Sequence, residues 1–320
     1  MNRSAARSLA LPLICLTLLT FCGCSKKVDL KLRLNPGDSR TVTITQDLQI
    51  TQEFMGNKMT QPVKTRQVFA MNVESIDAEG WATVNVTFKD YDLPDMGGFG
   101  GGFGEMGDLG DLSLEGKGFT MAVSPDGRVT AVRGMNAIAT ELGKKMKEML
   151  EDVNMDSFPM PPQMQAQMKS KMGDSLQTML RERAGDDAIR EQMEQVFAIY
   201  PDMPVGVGDS WTKTQALSKG MAPMTISEAW TLTGRKDGVA TLECQAEIAP
   251  NPSARPLKVM GVTVKMELTG KQTTTVEVDE KTGWILTSTT TEDLQGTTEA
   301  GPMSIPVHRE GTTWVQTAAQ

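Results

Sequence analysis

The sequence predicts a mainly antiparallel β protein with an α-helical insert, in which two tandem β units are joined by a methionine-rich helical segment. Apolar residues recur at every second position over most of both halves, as on half-buried antiparallel strands. Between the halves they recur at every third or fourth position, as on amphipathic helices. The 320 residues therefore divide into a leader at 1–23, a first β unit at 24–135, a helical insert at 136–200 and a second β unit at 201–320.

The N-terminus has the pattern of an export signal. Arg3 and Arg7 precede an apolar run from Leu9 to Cys22, which is shorter than the roughly 20 residues that an ordinary membrane-spanning helix needs. A basic segment followed by a short apolar one is typical of a secretory signal. We therefore expect residues 1–23 to be removed during export.

The end of this run resembles the lipobox of bacterial lipoproteins, in which a small residue precedes an acylated cysteine. Gly23 and Cys24 take these places, which predicts a mature chain that begins at Cys24 and is held to a membrane by lipid on its thiol. Phe21 stands where the lipobox prefers an aliphatic residue, and an ordinary secretory signal is the alternative. Ser25 lacks the aspartate that resembles an inner-membrane retention signal, so the expected location is the outer membrane, facing the periplasm.

Cysteine and charge content restrict the chemistry of the exported part. Cys15 and Cys22 leave with the signal and Cys24 is acylated, so Cys244 alone remains and no internal disulfide can form. Cys244 alternates in phase with apolar neighbours and is expected to be a buried small hydrophobe. Without the two arginines of the signal, 30 basic residues remain against 40 acidic ones. This formal charge of −10 argues against nucleic acid and against an anionic lipid surface as the main partner.

The first β unit is predicted from alternating apolar residues. An extended segment from Val28 to Leu34 places its apolar residues on one face, and a Pro36-Gly37 turn follows. The alternation resumes at 41–54, 63–76, 82–88 and 119–123, and the turn sequence Ser-Pro-Asp-Gly then leads into a further strand. This order is typical of an antiparallel meander.

A glycine-rich segment, Pro94–Gly110, interrupts this unit and is expected to form a flexible hairpin loop. Residues 102–107 match the G-x-G-x-x-G spelling, but they neither directly follow a strand nor open a helix, and nearby acidic residues would repel phosphate. A weak calcium site at Asp108 and Asp111 is the alternative, although the EF-hand spacing is absent. No cofactor and no metal ion are expected.

The insert at 136–200 has helical spacing in three stretches. The first is predicted over 136–153, the second over 162–183 after a Pro-Pro start, and the third after Gly185. Met164, Met168 and Met172 fall on one face of the second helix. Methionine fills irregular gaps in cores and also lines adaptable binding surfaces, so these residues either pack in the core or line an apolar groove.

The second half repeats the order of signals in the first. Gly37–Thr41 corresponds to Gly208–Thr212, 80–84 corresponds to 238–242, and the turn at Gly127 corresponds to the turn at Gly283. We interpret this as a tandem duplication of one β unit. The alternative is that such turns recur independently, as they do in many β proteins.

The sequence carries no catalytic motif. His308 is the single histidine and lies in a strand-like stretch, where a solvent-facing role is expected. The G-x-S-x-G, H-E-x-x-H and C-x-x-C patterns are absent. Acidic residues are abundant, but nothing singles out a pair for glycosidase-type chemistry. We therefore expect that the protein is not an enzyme.

As a whole, the pattern resembles a family of uncharacterised bacterial envelope proteins and lipoproteins. The residues that carry the resemblance are Gly37-Asp38, Glu79-Gly80-Trp81-Ala82, Ser124–Val129 and Pro204–Trp211, with the helical insert before the last of them. The Asp of the Asp-Gly-x-Ala turn is displaced here, to Asp77. The resemblance implies no activity.

Two functional classes follow from these observations. The first is a membrane-anchored structural or interaction lipoprotein that presents loops and edge strands to an envelope partner. The alternative is a binding module or carrier that holds an apolar ligand in a groove between the sheets and the helices, with Met164, Met168 and Met172 along it. In both cases the membrane is reached through the lipid on Cys24.

Overall fold

The computed structural model describes residues 27–54, 56–91, 113–152, 161–219, 222–254, 256–259 and 262–319. Within them the chain forms strands β1 (Ser39–Phe54), β2 (Asn57–Ile76), β3 (Ala82–Tyr91), β4 (Gly118–Val123), β5 (Val129–Arg133), β6 (Ser210–Leu217), β7 (Met224–Lys236), β8 (Val239–Pro250), β9 (Leu257–Val259), β10 (Val262–Asp279), β11 (Ile285–Ala300) and β12 (Met303–Ala319). The helices are α1 (Met135–Asp152), α2 (Pro162–Ala184) and α3 (Asp186–Phe197).

The strands form one twelve-stranded antiparallel sheet, in the order β5-β4-β3-β2-β1-β12-β11-β10-β8-β7-β6, with β9 paired to β10. Strands joined by short turns are neighbours within each half. The two halves meet where β1 pairs with β12, from Arg40 opposite Ala319 to Gln52 opposite Val307. The predicted class, a mainly antiparallel β protein with a helical insert, is confirmed.

The long strands give the sheet two ends. At one end, the base, lie the turns at 77–81, 124–128, 237–238 and 280–284, and the starts of β1 and β6. At the other end, the tip, lie the paired ends of β1 and β2, of β9 and β10, and of β11 and β12. Because β1 has 16 residues and a strand rises about 3.4 Å per residue, base and tip are roughly 50 Å apart along it.

The N-terminal arm, residues 27–35, crosses the base. Its predicted extended segment makes a single β-bridge, between Val28 and Val205, and no strand. Leu30 and Leu32 are buried, as their alternation predicts. The backbone amide of Leu32 donates to the carbonyl of Pro125 (2.9 Å), and the backbone amide of Arg33 donates to the carbonyl of Thr282 (2.7 Å). The arm thereby joins the β4–β5 turn to the β10–β11 turn.

Three strand glycines lie where the sheet is most crowded. A Cβ on any of them would come within 1.8 to 2.3 Å of a carbonyl oxygen in the adjacent strand. Each stands opposite a buried leucine in the adjacent strand: Gly270 opposite Leu294, Gly296 opposite Leu268 and Gly311 opposite Leu48. Glycine is typical of places where a strand bends or another backbone approaches closely.

Helices α1, α2 and α3 agree with the three predicted helical stretches. The α1–α2 pair packs closely because glycine stands at both contacts: a Cβ on Gly143 would lie 2.8 Å from the side chain of Gln177, and one on Gly173 would lie 2.7 Å from that of Lys147. The side chain of Asp186 accepts from the backbone amide of Asn136 (3.2 Å), and the side chain of Asn136 accepts from the backbone amide of Asp186 (3.3 Å). The starts of α1 and α3 therefore cap each other.

Candidate functional site

Helix α3 and the inner face of β1, β2, β11 and β12 enclose a small apolar cavity between them. The helix contributes Met193, Val196 and Phe197. The sheet and the β10–β11 turn contribute Val42, Ile44, Phe69, Met71, Trp284, Ile285, Val315 and Thr317. The free space is about 20 Å³, which is room for roughly one water molecule. A larger ligand could enter only if α3 moved.

Trp284 is one of the residues that line this cavity. Its side chain is buried, and its ring meets that of Phe197 edge-on at 6.5 Å between centroids. The guanidinium of Arg40 lies 5.5 Å from the ring centroid, a cation–π geometry. Within the described chain, the buried indole Nε1 has no hydrogen-bond partner. An unpaired buried donor is costly, so a water or a ligand acceptor at this atom would be stabilising.

A row of polar side chains crosses the inner face nearer the tip. Glu228 accepts from the indole Nε1 of Trp230 (3.2 Å) and the amide of Gln215 (3.3 Å), and burial raises the pKa of its carboxyl group. Glu292 accepts from the guanidinium of Arg309 and from the side-chain amide of Gln272. These carboxylates are satisfied within the sheet, and the described residues contain no cluster of three or more metal-binding side chains.

On its other side, α3 faces the edge strand β6 across an open cleft of about 260 Å³. Arg190 pairs with Glu194 at 2.8 Å within the helix. The carboxylate of Glu191 accepts from the backbone amides of Ser218 (2.7 Å) and Lys219 (3.0 Å), which ties the helix to the end of β6. The cleft is mixed in charge.

The tip carries a group of exposed apolar side chains, hereafter the tip patch. Its members and exposed fractions are Phe54 (42 %), Met59 (66 %), Val262 (44 %) and Met303 (48 %). They lie at the tip ends of β1, β2, β10 and β12. These strand ends are close together because β1 pairs with β12 and the amide of Gly301 donates to the carbonyl of Thr263 (3.2 Å).

The three methionines predicted to line a groove become less exposed along α2, from its start towards its middle. Met164 is 56 % exposed, Met168 is half-buried and Met172 is buried. The cavity beneath α3 is lined by Met193 in their place, and the groove along α2 stays a prediction. Trp284, whose buried Nε1 is unpaired among the described residues, was not singled out from the sequence. In the sequence it appears only as an apolar residue that follows a turn.

The other residues singled out from the sequence have plainer surroundings. Cys244 is buried, as predicted, and burial raises the pKa of its thiol to about 12, which makes it a poor nucleophile at neutral pH. His308 is 43 % exposed on β12 and lies 2.8 Å from Asp293, in agreement with a solvent-facing strand residue. Cys24 and the Pro94–Gly110 segment, with its alternative calcium ligands Asp108 and Asp111, lie outside the described residues.

Comparison with known proteins places these observations in a family context. A model described as a family of unknown function (DUF6263) matches residues 112–285, which is more than half of the chain. No curated protein matches it. In the part of the chain that the structure describes, no helix is long and apolar enough to cross a membrane.

Proposed function

The chain belongs to DUF6263, a family of unknown function, and from its geometry we propose that it is a lipid-anchored envelope protein that presents the tip patch to a partner protein. The base carries the anchor and the tip carries the recognition surface. Catalysis has no part in this role.

The separation of the arm from the tip patch is the observation that carries the proposal. Among the described residues of the sheet, most of the exposed large apolar side chains gather at the tip ends of four strands, and the arm crosses the opposite end. Exposed apolar groups that cluster at one place mark interaction sites, whereas single ones are ordinary. The cavity beneath α3 holds only about 20 Å³, and this small volume also favours a rigid interaction module over a carrier.

Anchoring through Cys24 rests on the lipobox resemblance and on the position of the arm. We expect Cys24→Ala to release the protein from the membrane fraction, because each buried CH₂ of the lipid contributes about 0.8 kcal/mol and several acyl chains act together. Mass spectrometry of the mature N-terminus tests this directly. An unmodified terminus at any other residue would rule the anchor out.

We also propose that the two halves arose by duplication of one β unit. Both are meanders, β1 to β5 and β6, β7, β8, β10 and β11, and both start with the same turn. The amide of Gly37 donates to the carbonyl of Val73 (2.8 Å), and that of Gly208 to the carbonyl of Leu232 (2.8 Å). A β-bulge follows at each acceptor. Superposition of the halves with these glycines aligned, and with Gly127 on Gly283, is the test; a shift of register between matched strands would contradict it.

The interaction role is tested by photo-crosslinking in cells. We expect a photoreactive residue at Met59 or Met303 to give an adduct of one discrete mass, because both side chains project from the tip. Met164, on α2 and 56 % exposed, is the matched control and should give none. Equal adducts at all three positions, or none at the tip, would contradict the proposal.

A second candidate function is favoured by the unpaired Nε1 of Trp284. An apolar ligand with a hydrogen-bond acceptor, such as a fatty acid, would satisfy it if α3 moved aside. Titration with a fluorescent fatty acid tests this: Trp284→Phe should weaken binding, and Trp314→Phe, on the outer face and 39 % exposed, should not. Absence of binding by the unaltered protein would remove this candidate and leave the interaction role.

A further inference from the structure

We infer that the base surface around Met203 and Val207 rests against the lipid bilayer, so that the protein stands upright on the membrane with its tip outward. This inference builds on the proposed anchoring through Cys24. It adds a second contact with the membrane, made by side chains, and an orientation.

The path of the arm determines where the anchor attaches. Val28 and Val205 exchange both backbone hydrogen bonds (2.8 and 2.9 Å) in an antiparallel bridge. The chain that leads back from Val28 therefore runs beside the residues that follow Val205. The ion pair between Lys27 and Asp209, at 3.5 Å, also joins the arm to a residue that follows Val205. Lys27 thus lies beside the segment that contains Val207.

Little chain is left between that point and the lipid. Three residue steps separate Lys27 from Cys24, which can span at most about 11 Å. The acylated cysteine lies at the membrane surface, so the base is held within that distance of it. A single α-helix with its side chains is about 10–12 Å across and would already fill this gap. A folded partner protein is thicker than one helix, so it has no room between the base and the bilayer. The short tether therefore leaves the bilayer as the surface that contacts the base.

The residues beside the tether are apolar and exposed. Met203 is 66 % and Val207 45 % exposed, although Val205 between them is buried. The exposed parts of these two side chains face water, and at the headgroup boundary they would leave it. Lys27 and Lys31 have carboxylate partners, Asp209 and Asp29, so attraction to anionic lipid is not required. A contact made by apolar groups suits a chain with a strongly negative net charge.

The test uses the lipoprotein purified with its lipid, confirmed by mass spectrometry, and inserted in phosphatidylcholine vesicles. Cys24 is blocked by acylation and Cys244 is buried, so a cysteine placed at Met203 or at Met59 can be labelled selectively with an environment-sensitive fluorophore. The two positions are equally exposed, at 66 %, and lie at opposite ends of the sheet. Lipids brominated on their acyl chains then report which label touches the bilayer.

We expect Met203→Cys to give blue-shifted emission that brominated lipid quenches, and Met59→Cys to give neither. Equal quenching at both positions, or quenching at Met59→Cys alone, would overturn the upright orientation. If neither label is quenched while the lipidated protein stays on the vesicles, the side-chain contact is refuted and the anchor stands. If the native N-terminus carries no lipid, the anchor and this inference both fall.

Discussion

Replacing Gly283 by alanine tests how the base is held together. Gly283 has φ +74°, and a Cβ there would lie 2.0 Å from the carbonyl oxygen of Lys31 and 2.8 Å from the Cα of Leu32. Both are backbone atoms of the arm, which cannot rotate away as a side chain could. The carbonyl of Gly283 also accepts from the hydroxyl of the buried Tyr200. The substitution therefore strains the turn and pushes the arm off the base.

The expected magnitude has two parts. Positive φ costs a residue with a Cβ about 1 kcal/mol. Displacing the arm exposes Leu30 and Leu32, each worth about 2 kcal/mol of burial, and the freed arm recovers part of this as chain entropy. We expect Gly283→Ala to lower the free energy of unfolding by about 3 kcal/mol in total. Gly208→Ala is the matched control, since φ is +93° there and a Cβ would have nothing within 4 Å; it should cost about 1 kcal/mol.

Urea unfolding of the unlipidated mature chain, followed by tryptophan fluorescence, measures both free energies. A further variant with serine at Leu30 and Leu32 should already release the arm. In that background, the cost of Gly283→Ala should fall to that of Gly208→Ala. Equal costs for the two glycine substitutions in the otherwise unaltered chain would refute the idea that Gly283 is required by the arm.

Three further substitutions have expected outcomes. Met172→Ala should cost about 2 to 4 kcal/mol because it leaves a cavity in a buried site, whereas Met164→Ala, on the exposed part of the same helix, should change thermal stability little. Burial holds the pKa of Glu228 above its ordinary 4.5, so the folded state keeps this proton longer and the unaltered protein loses stability as pH rises above about 4.5. Glu228→Gln should remove that loss and be the more stable form at pH 7; a less stable Glu228→Gln would contradict the assignment. The hydrogen-bonded guanidinium of Arg235 holds the pKa of Glu280 below 4.5, so this pair stabilises above that pH and the benefit disappears as pH falls. Glu280→Gln should accordingly cost about 0.5 to 1 kcal/mol at pH 7 and nothing in acid, as pH-dependent urea midpoints would show.

The strands and helices were predictable because each carries its own periodicity. The even-numbered apolar residues of 41–54 place β1 within two residues of its observed start, and the methionine and leucine spacing after Pro162 marks α2 along its whole length. Turn glycines were equally readable: Gly127 and Gly283 have φ of +80° and +74°, as their turns require. Such signals are local, since a residue's alternation or helical spacing decides which face it shares with near neighbours.

The candidate site was less predictable, because an apolar stripe tells which face is buried and not what covers it. The stripe with Met164, Met168 and Met172 and the stripe with Met193 look alike in sequence, yet Met193 lines the cavity. The importance of Trp284 comes from its surroundings. Residues distant in the chain bury its Nε1 without offering a hydrogen-bond acceptor. The tip patch is similarly invisible, since it joins turns near 54, 262 and 303.

The sequence by itself therefore determined the antiparallel class, the helical insert, the burial of Cys244 and the residues that form the turns. Tertiary structure alone decided that β1 pairs with β12, that Val28 pairs with Val205, and that the arm packs on Gly283. These contacts join residues well over a hundred positions apart. Their choice depends on the combined fit of whole surfaces, which no local pattern records, and in this protein they place the arm at one end of the sheet and the tip patch at the other.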